Sequence, residues 1–539
     1  MLSTMMDVPL LVSQLIDSAA DHHATTEVVA RRLCGEIERE NWAGMRARAK
    51  RLAKALSASG YGLDDCVASL AWNTSNHLEL FYGVLGIGAG LHTLNPRLLA
   101  DDLRYMIEKV DDKIVFIDGG TLSVAEAVAP LVPRVQAWIF MDEAGELPES
   151  SITDLISKSA FTAAFDDTFE WPNFDERQAA TICFTSGTTG RPKGVAYSHR
   201  SLTLTAMNMS MADMYAGYRP GALECVMPIA PIFHANGWMM PFTAPMNGHK
   251  LVLPGRAFDA QSMIELIRTE GVTLAGAVPT VWQDLVDTLV RMGLNVPTLK
   301  TGLLSGTRPS QRLLDKLDAQ GIQIRQSWGM TEAPGATRGS PPPGSELADT
   351  NTRALLHGAR QGRVGFQARL KLLNEEGKRL PFDGKNMGRL FVRGPVVTGR
   401  YVGDQEESVV DWLDTGDIAR IYADGTIEIV DRAKDVIKSG GEWISAVQLE
   451  MAAMSHPAIR QAAAIGVHHP RWEERPLLIC SLAVGATVTA AELSAHMAQS
   501  MAKWWLPDQI LFVDELPLTA TGKLNKLELR RTHNPPAAA

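Results

Sequence analysis

Short apolar runs alternate with longer amphipathic stretches through most of the chain, from about residue 1 to 430. Residues 250–253 predict a strand, 261–269 a helix, 272–278 a strand and 281–291 a helix. The pattern continues with a strand at 301–305, a helix at 311–319 and a strand at 322–325. Strands separated by helices need crossover connections, so this alternation implies largely parallel sheets covered by helices. Residues 180–184 predict a further buried strand, and 195–197 are strand-like as well. The texture changes between Gly335 and Gly362, where Gly339-Ser340-Pro341-Pro342-Pro343-Gly344 reads as loop. Beyond it, residues 390–393 and the pair 418–422 and 426–430, joined through Ala423-Asp424-Gly425, predict β-structure with a hairpin turn.

From residue 432 the pattern restarts on a smaller scale, with strands expected at 462–467, 477–484 and 509–513. Ser445 with Gln448, and Thr489 with Glu492, have the spacing of capping boxes that start helices. The expected fold is α/β: a large N-terminal domain (1–431) of helix-covered, largely parallel sheets plus a β-subdomain, then a small mobile α+β C-terminal domain (432–539). A length of 539 residues agrees, being too long for one ordinary core.

Composition narrows the class. With 45% hydrophobic and 21% charged residues the chain has the balance of a globular enzyme. A net charge of −9 gives no footprint for nucleic acid, though local clusters can still hold anionic substrates. Cys34, Cys66, Cys183, Cys225 and Cys480 are scattered, without metal-ligand spacing, which suits a reducing compartment. The N-terminus lacks the basic flank of a signal peptide. Residues 78–91 contain four glycines and fall short of a membrane span, so no integral membrane segment is expected. A cytoplasmic location follows by elimination. The oligomeric state stays open, a homodimer included.

The densest chemistry lies at Cys183-Phe184-Thr185-Ser186-Gly187-Thr188-Thr189-Gly190-Arg191-Pro192-Lys193-Gly194. Glycines let backbone N–H groups turn inward, while hydroxyls and Lys193 add donors, so the loop suits a polyphosphate. It is not the common Gly-x-x-x-x-Gly-Lys-Ser/Thr loop, because Pro192 interrupts that spacing. A flexible linker is the plainer alternative, but strand-like runs flank the segment on both sides.

The loop resembles the signature of the adenylate-forming superfamily of acyl-CoA synthetases, luciferases and peptide-synthetase adenylation domains. Four further stretches resemble that family's motifs in order: Ser327-Trp328-Gly329-Met330-Thr331-Glu332, Asp414-Thr415-Gly416-Asp417, the run from Asp431 to Ser445, and Pro517-Leu518-Thr519-Ala520-Thr521-Gly522-Lys523. The whole chain most resembles medium- and long-chain fatty acid–CoA ligases and the branch with 3-methylthiopropionate–CoA ligases. The resemblance implies two steps: a carboxylate attacks the α-phosphate of ATP to give acyl-AMP and pyrophosphate, then the thiol of CoA displaces AMP.

It also implies roles. Thr185, Ser186, Gly187, Thr188, Thr189, Gly190 and Lys193 would cradle phosphates. Gly306, Thr307, Ser327, Trp328, Gly329, Met330 and Thr331 would flank the nucleotide, with Trp328 where tyrosine is usual. Glu332 would hold Mg²⁺ together with Thr185, a hard ion that takes carboxylate oxygens and phosphates. Read without the motif, Glu332 is a helix-start acid. Asp417 would accept both ribose hydroxyls, backed by Arg432. Lys523 would bridge the carboxylate and the α-phosphate. Lys434 would be the hinge of the C-terminal domain. Lys438, Gly440, Gly441, Glu442, Trp443 and Glu474 would serve the CoA step, the two glycines leaving room for a pantetheine arm. His234 and Trp238 would line the acid pocket, bordered by Met239, Met240 and Val278. Two departures from the family, Arg308 and the segment Gly362-Arg363-Val364-Gly365-Phe366, are expected to reshape the acyl–phosphate junction. The alternatives are a ligase for an aryl-alkanoic or other bulky acid, an adenylating enzyme with a non-CoA acceptor, and a non-catalytic nucleotide-binding homologue.

Overall fold

The structure is a computed structural model. It describes residues 3–141, 147–185, 191–211, 223–339, 360–405, 408–440, 442–518 and 524–533. Two seven-stranded sheets make up its larger part. The first runs, edge to edge, Gln323–Gln326, Thr301–Leu304, Leu274–Ala277, Cys225–Pro228, Lys250–Leu253, Glu27–Arg31 and Ile37–Asn41. The second runs Leu155–Ser157, Ala137–Phe140, Ile114–Ile117, Cys66–Leu70, Gly90–Leu94, Ala179–Phe184 and Gly194–Ser198. In each sheet every neighbouring pair is parallel except the last, which is antiparallel. The alternation of strand and helix in the sequence is what requires this plan, since parallel neighbours need crossovers.

The covering helices start and stop where their side chains dictate. Ser310 caps Gln311–Ala319 by accepting the Leu313 N–H, and that helix buries Leu313, Leu314 and Leu317 against the first sheet. Asp259 caps Ala260–Glu270, and Gly271 ends it in the left-handed conformation. The strands themselves are buried on both faces, as parallel strands under helices must be.

A four-stranded antiparallel sheet follows: Arg369–Leu373, Gly388–Arg393, Leu413–Ile421 and Ile427–Arg432. Its expected hairpin turn is present, with the Gly425 N–H bonded to the Tyr422 carbonyl. The C-terminal α+β unit has a five-stranded sheet in which Glu473–Leu482 pairs with Ile459–His469 and with Gln509–Val513. Helices Ala446–Met454, Ala490–Met497 and Lys526–His533 complete it. Thr489 and Glu492 form the reciprocal box, and Ser445 caps its helix through the Gln448 N–H. All five cysteines are free thiols. Among the described residues no helix is long and apolar enough to cross a membrane.

Candidate active site

The strand Ala179–Phe184 and the antiparallel edge strand Gly194–Ser198 leave their connecting loop at one end of the second sheet. The Thr185 N–H closes that loop on the Lys193 carbonyl at 2.9 Å, bringing the two residues together. Ser186, Gly187, Thr188, Thr189 and Gly190 lie outside the described residues. The Lys193 ammonium sits 4.7 Å from the centre of the Tyr401 ring, whose hydroxyl donates to Glu332 Oε1 at 2.9 Å. Tyr197, on the returning strand, donates to the Thr331 carbonyl. The Thr398 N–H donates to the Glu332 carbonyl at 2.8 Å. Two tyrosines that sequence reasoning passed over thus tie the phosphate loop to Thr331 and Glu332. Burial, with the Glu332 charge beside it, pushes the Tyr401 phenol above its ordinary value, so it stays a donor. Glu332 starts no helix: Met330 and Ala333 each donate to the other's carbonyl in a tight turn, and the carboxylate is buried.

At the other end of the nucleotide segment, Thr301–Leu304 and Gln323–Gln326 are parallel neighbours. Gly306 and Thr307 emerge, exposed, after the first, and Ser327 after the second, its N–H bonded to the Leu304 carbonyl at 3.0 Å. Gly329 and Met330 follow in the turn. The Trp328 N–H donates to Thr337 Oγ1 at 2.6 Å, and its indole Nε1–H donates to Asp417 Oδ2 at 2.9 Å. Arg432, directly across the strand pair from Asp417, places Nε 2.9 Å from Oδ1. Asp417 therefore has both oxygens engaged, not standing free for ribose. Each carboxylate oxygen accepts more than one bond, so acceptor capacity remains. Trp328 is only 7% exposed. The cause is its ring N–H, which reaches into the buried carboxylate.

The two departures have these surroundings. Arg308 Nη1 pairs with Glu428 at 3.1 Å, and Arg420 and Tyr422 share the same carboxylate. Its charge is neutralised on the strand Ile427–Arg432. Arg363–Val364 pairs antiparallel with Thr337–Arg338, behind the Trp328 turn, and Phe366 is 93% exposed.

The acid segment has an unusual backbone. Ala235, Asn236, Gly237, Trp238 and Met239 run at φ of 38°, 40°, 55°, 53° and 64°. For L-residues such a left-handed turn costs roughly 1–2 kcal/mol each, and strain of this kind gathers at functional sites. His234 opens the turn, its carbonyl accepting the Gly237 N–H at 3.0 Å. The Trp238 ring lies against the strand Leu274–Ala277, where a β-carbon at Gly276 would sit 3.2 Å from it and 2.8 Å from the Met240 methyl. His234 and Trp238 are half-buried; Met239 and Met240 are buried, and Val278 precedes helix Pro279–Met292.

In the C-terminal unit, Asp435 pairs with Arg530 at 2.7 Å, and the same guanidinium donates to the Lys434 carbonyl at 3.3 Å. Asp431 accepts from Ser445 Oγ at 3.1 Å and the Val447 N–H at 3.2 Å, capping helix Ala446–Met454. Lys438 faces Trp443 across a hairpin, and its N–H donates to Glu474 at 3.0 Å. With His468 and Glu473, Lys438 and Glu474 line a cavity of about 360 Å³. Gly440 adopts φ 61°, and a β-carbon there would lie 3.0 Å from Trp472. The glycine makes room for the protein's own tryptophan. Buried Arg475 fixes the same loop through Ser439 Oγ at 3.2 Å and the Trp504 and Leu506 carbonyls. Gly441, the Glu442 side chain and Lys523 lie outside the described residues.

Comparison with known proteins agrees with this arrangement. The AMP-binding enzyme family model matches residues 16–402, and the AMP-binding enzyme C-terminal domain matches 448–523. The chain is 40% identical over 544 residues to 3-methylmercaptopropionyl-CoA ligase of Ruegeria pomeroyi, covering 98% of each. It is 38% identical over 537 residues to medium-chain-fatty-acid–CoA ligase of Ectopseudomonas oleovorans, covering 99% of this chain and 98% of that one. The anthranilate CoA ligase AuaEII, solved with anthranoyl-AMP, superposes with a TM-score of 0.85 at 23% identity over 98% of each chain. The two family models, with relatives 38–40% identical along nearly the whole length, make this chain a member of the AMP-binding enzyme family and an ATP-dependent, AMP-forming acid–CoA ligase.

Proposed function

We propose that the acid is an apolar monocarboxylate, a medium- or long-chain fatty acid or 3-methylthiopropionate, activated as its acyl-adenylate and passed to CoA. The observation that carries this reading is the fate of Arg308. The charged residue that could have held a second polar group is paired with Glu428, while the acid segment offers Trp238, Met239 and Met240. The Ruegeria pomeroyi and Ectopseudomonas oleovorans ligases act on acids of this kind.

In the first step two anions approach, so the barrier is lowered by charge neutralisation and in-line placement. Thr185 and Lys193, with the loop between them, would hold the phosphates; Trp328, Asp417 and Arg432 would fix adenosine. Lys523 would bridge carboxylate and α-phosphate. Mg²⁺ fits the donor set: the described residues contain no cage of three ligands, and Mg²⁺ keeps waters and phosphates beside one or two carboxylates. Glu332, oriented by Tyr401, and Thr185 would hold it, and the ion would offset phosphate charge. In the second step residues from 432 onward would swing about Lys434, bringing Lys438, Trp443 and Glu474 to the adenylate.

AMP release with ATP and CoA, measured across straight-chain, thioether and aryl acids, tests the substrate. The highest kcat/KM should fall on a straight-chain or thioether acid, and a preference for aryl acids overturns the reading. Lys434→Pro tests the swing, because proline fixes φ and removes the backbone donor. Acyl-CoA formation should collapse while acid-dependent pyrophosphate exchange persists; near-normal acyl-CoA output would place the pivot elsewhere.

A further inference from the structure

The left-handed turn after His234 must be held, because only Asn236 and Gly237 favour positive φ, while Ala235, Trp238 and Met239 adopt it against their preference. The holding groups sit on one strand. Thr181, fully buried on Ala179–Phe184, donates its hydroxyl to Asn236 Oδ1 at 2.6 Å, and Asn236 is fully buried too. Two residues on, and therefore on the same face, the buried Cys183 sulfur lies 3.5 Å from Thr93 Oγ1. Thr93 on the neighbouring strand donates to the Phe233 carbonyl at 3.0 Å, just before the turn. Below it, Gly237 is pressed on Ile232, where a β-carbon would lie 2.7 Å from the side chain.

We propose that Thr181 is a positioning residue for the acid: through Asn236 it holds the strained turn that presents His234 and Trp238. This rests on the reading that His234 and Trp238 line the acid pocket. The strand gives the inference its mechanical sense. Thr181 stands four residues before Thr185, so one rigid element carries the clamp on the acid segment and the start of the phosphate loop. At a rise of about 3.3 Å per residue the two are spaced by roughly 13 Å of inextensible backbone. The carboxylate and the α-phosphate are thereby located from a common reference, as a near-attack geometry demands.

Thr181→Val keeps the side-chain shape and deletes the hydroxyl. It should raise KM for the acid about tenfold, the scale of one buried hydrogen bond, with KM for ATP unchanged. Thr181→Ser should restore the wild-type value. Adding Ala235→Gly to Thr181→Val should recover part of the loss, since glycine adopts positive φ without strain. Should Thr181→Val not fold, Asn236→Ala, which deletes the acceptor and keeps a β-carbon, takes its place with the same expectation. A Thr181→Val enzyme that melts earlier yet keeps acid KM within twofold overturns the proposal, because the hydroxyl would then be structural only. His234→Ala and Trp238→Ala run beside it separate the two levels. If they raise acid KM while Thr181→Val does not, the positioning role alone fails. If they too leave acid KM untouched, the pocket reading fails and this inference with it.

Discussion

At the nucleotide end, Asp417 and Arg432 face each other in register on paired strands, and Trp328 closes the triangle with its indole N–H. At the proposed acid end, His234 and Trp238 hang on five residues bent against the preferred hand of the chain. The first arrangement is set by ladder pairing, which survives the loss of any one side chain. The second exists only while neighbouring elements hold it. One end is therefore robust and chemically explicit, the other strained and dependent on its surroundings, which suits a site whose nucleotide is fixed while its acid varies between relatives.

The largest expected effect belongs to neither end but to the group that would join them. Lys523→Ala should slow acyl-adenylate formation by about 10²–10³, the usual cost of one preorganised charge, and leave thioester formation from supplied acyl-AMP intact. Equal losses in both half-reactions, followed separately by pyrophosphate exchange and acyl-CoA release, would make the lysine structural.

Next comes Trp238→Ala. Truncating an aromatic packed on Gly276 and Met240 removes roughly 3–5 kcal/mol where collapse is incomplete, so Tm should fall together with a large rise in acid KM. ATP KM should stay near its wild-type value; a parallel rise would dissolve the contrast between the two ends. Trp328→Phe sharpens it from the other side. The N–H to Asp417 and part of the buried ring are lost, so a few-fold rise in ATP KM is expected with a lowered Tm, while acid KM stays nearly constant.

Much of this was legible in the residues. The alternation of apolar runs and amphipathic stretches implied parallel sheets, and the ordered motifs implied the AMP-binding enzyme family. What stayed hidden had no local signature. Arg308 read as a pocket charge because its partner, Glu428, lies 120 positions away. Tyr197 and Tyr401 are ordinary aromatics until folding sets one beside Thr331 and the other beside Glu332. Asn236-Gly237 announces a turn, but positive φ at Ala235, Trp238 and Met239 has no local signature, because tertiary contacts impose it.

Acid should distinguish the two ends least. Burial holds His77, His199 and His249 at about 4, well below the usual histidine range. Ring nitrogens of His199 and His249 accept backbone N–H groups from Val12 and Glu224, which requires them unprotonated. In the unfolded chain these rings would titrate near 6.5, so between about 6.5 and 4 the unfolded state binds more protons. Stability is thus undiminished above that window and falls as pH drops through it. Tm should decrease by several degrees from pH 7 to pH 5. A Tm flat across that range would mean the three rings are already charged or reachable by water.

The loop around Gly440 has a consequence for how such enzymes diversify. Trp472, Arg475 and Ser439 shape it from within the C-terminal unit. In the proposed swing it travels as a finished tool, cut before it reaches the workpiece. A lineage could then exchange its acceptor by retooling the chain beyond residue 432, leaving the chemistry of activation as it was inherited.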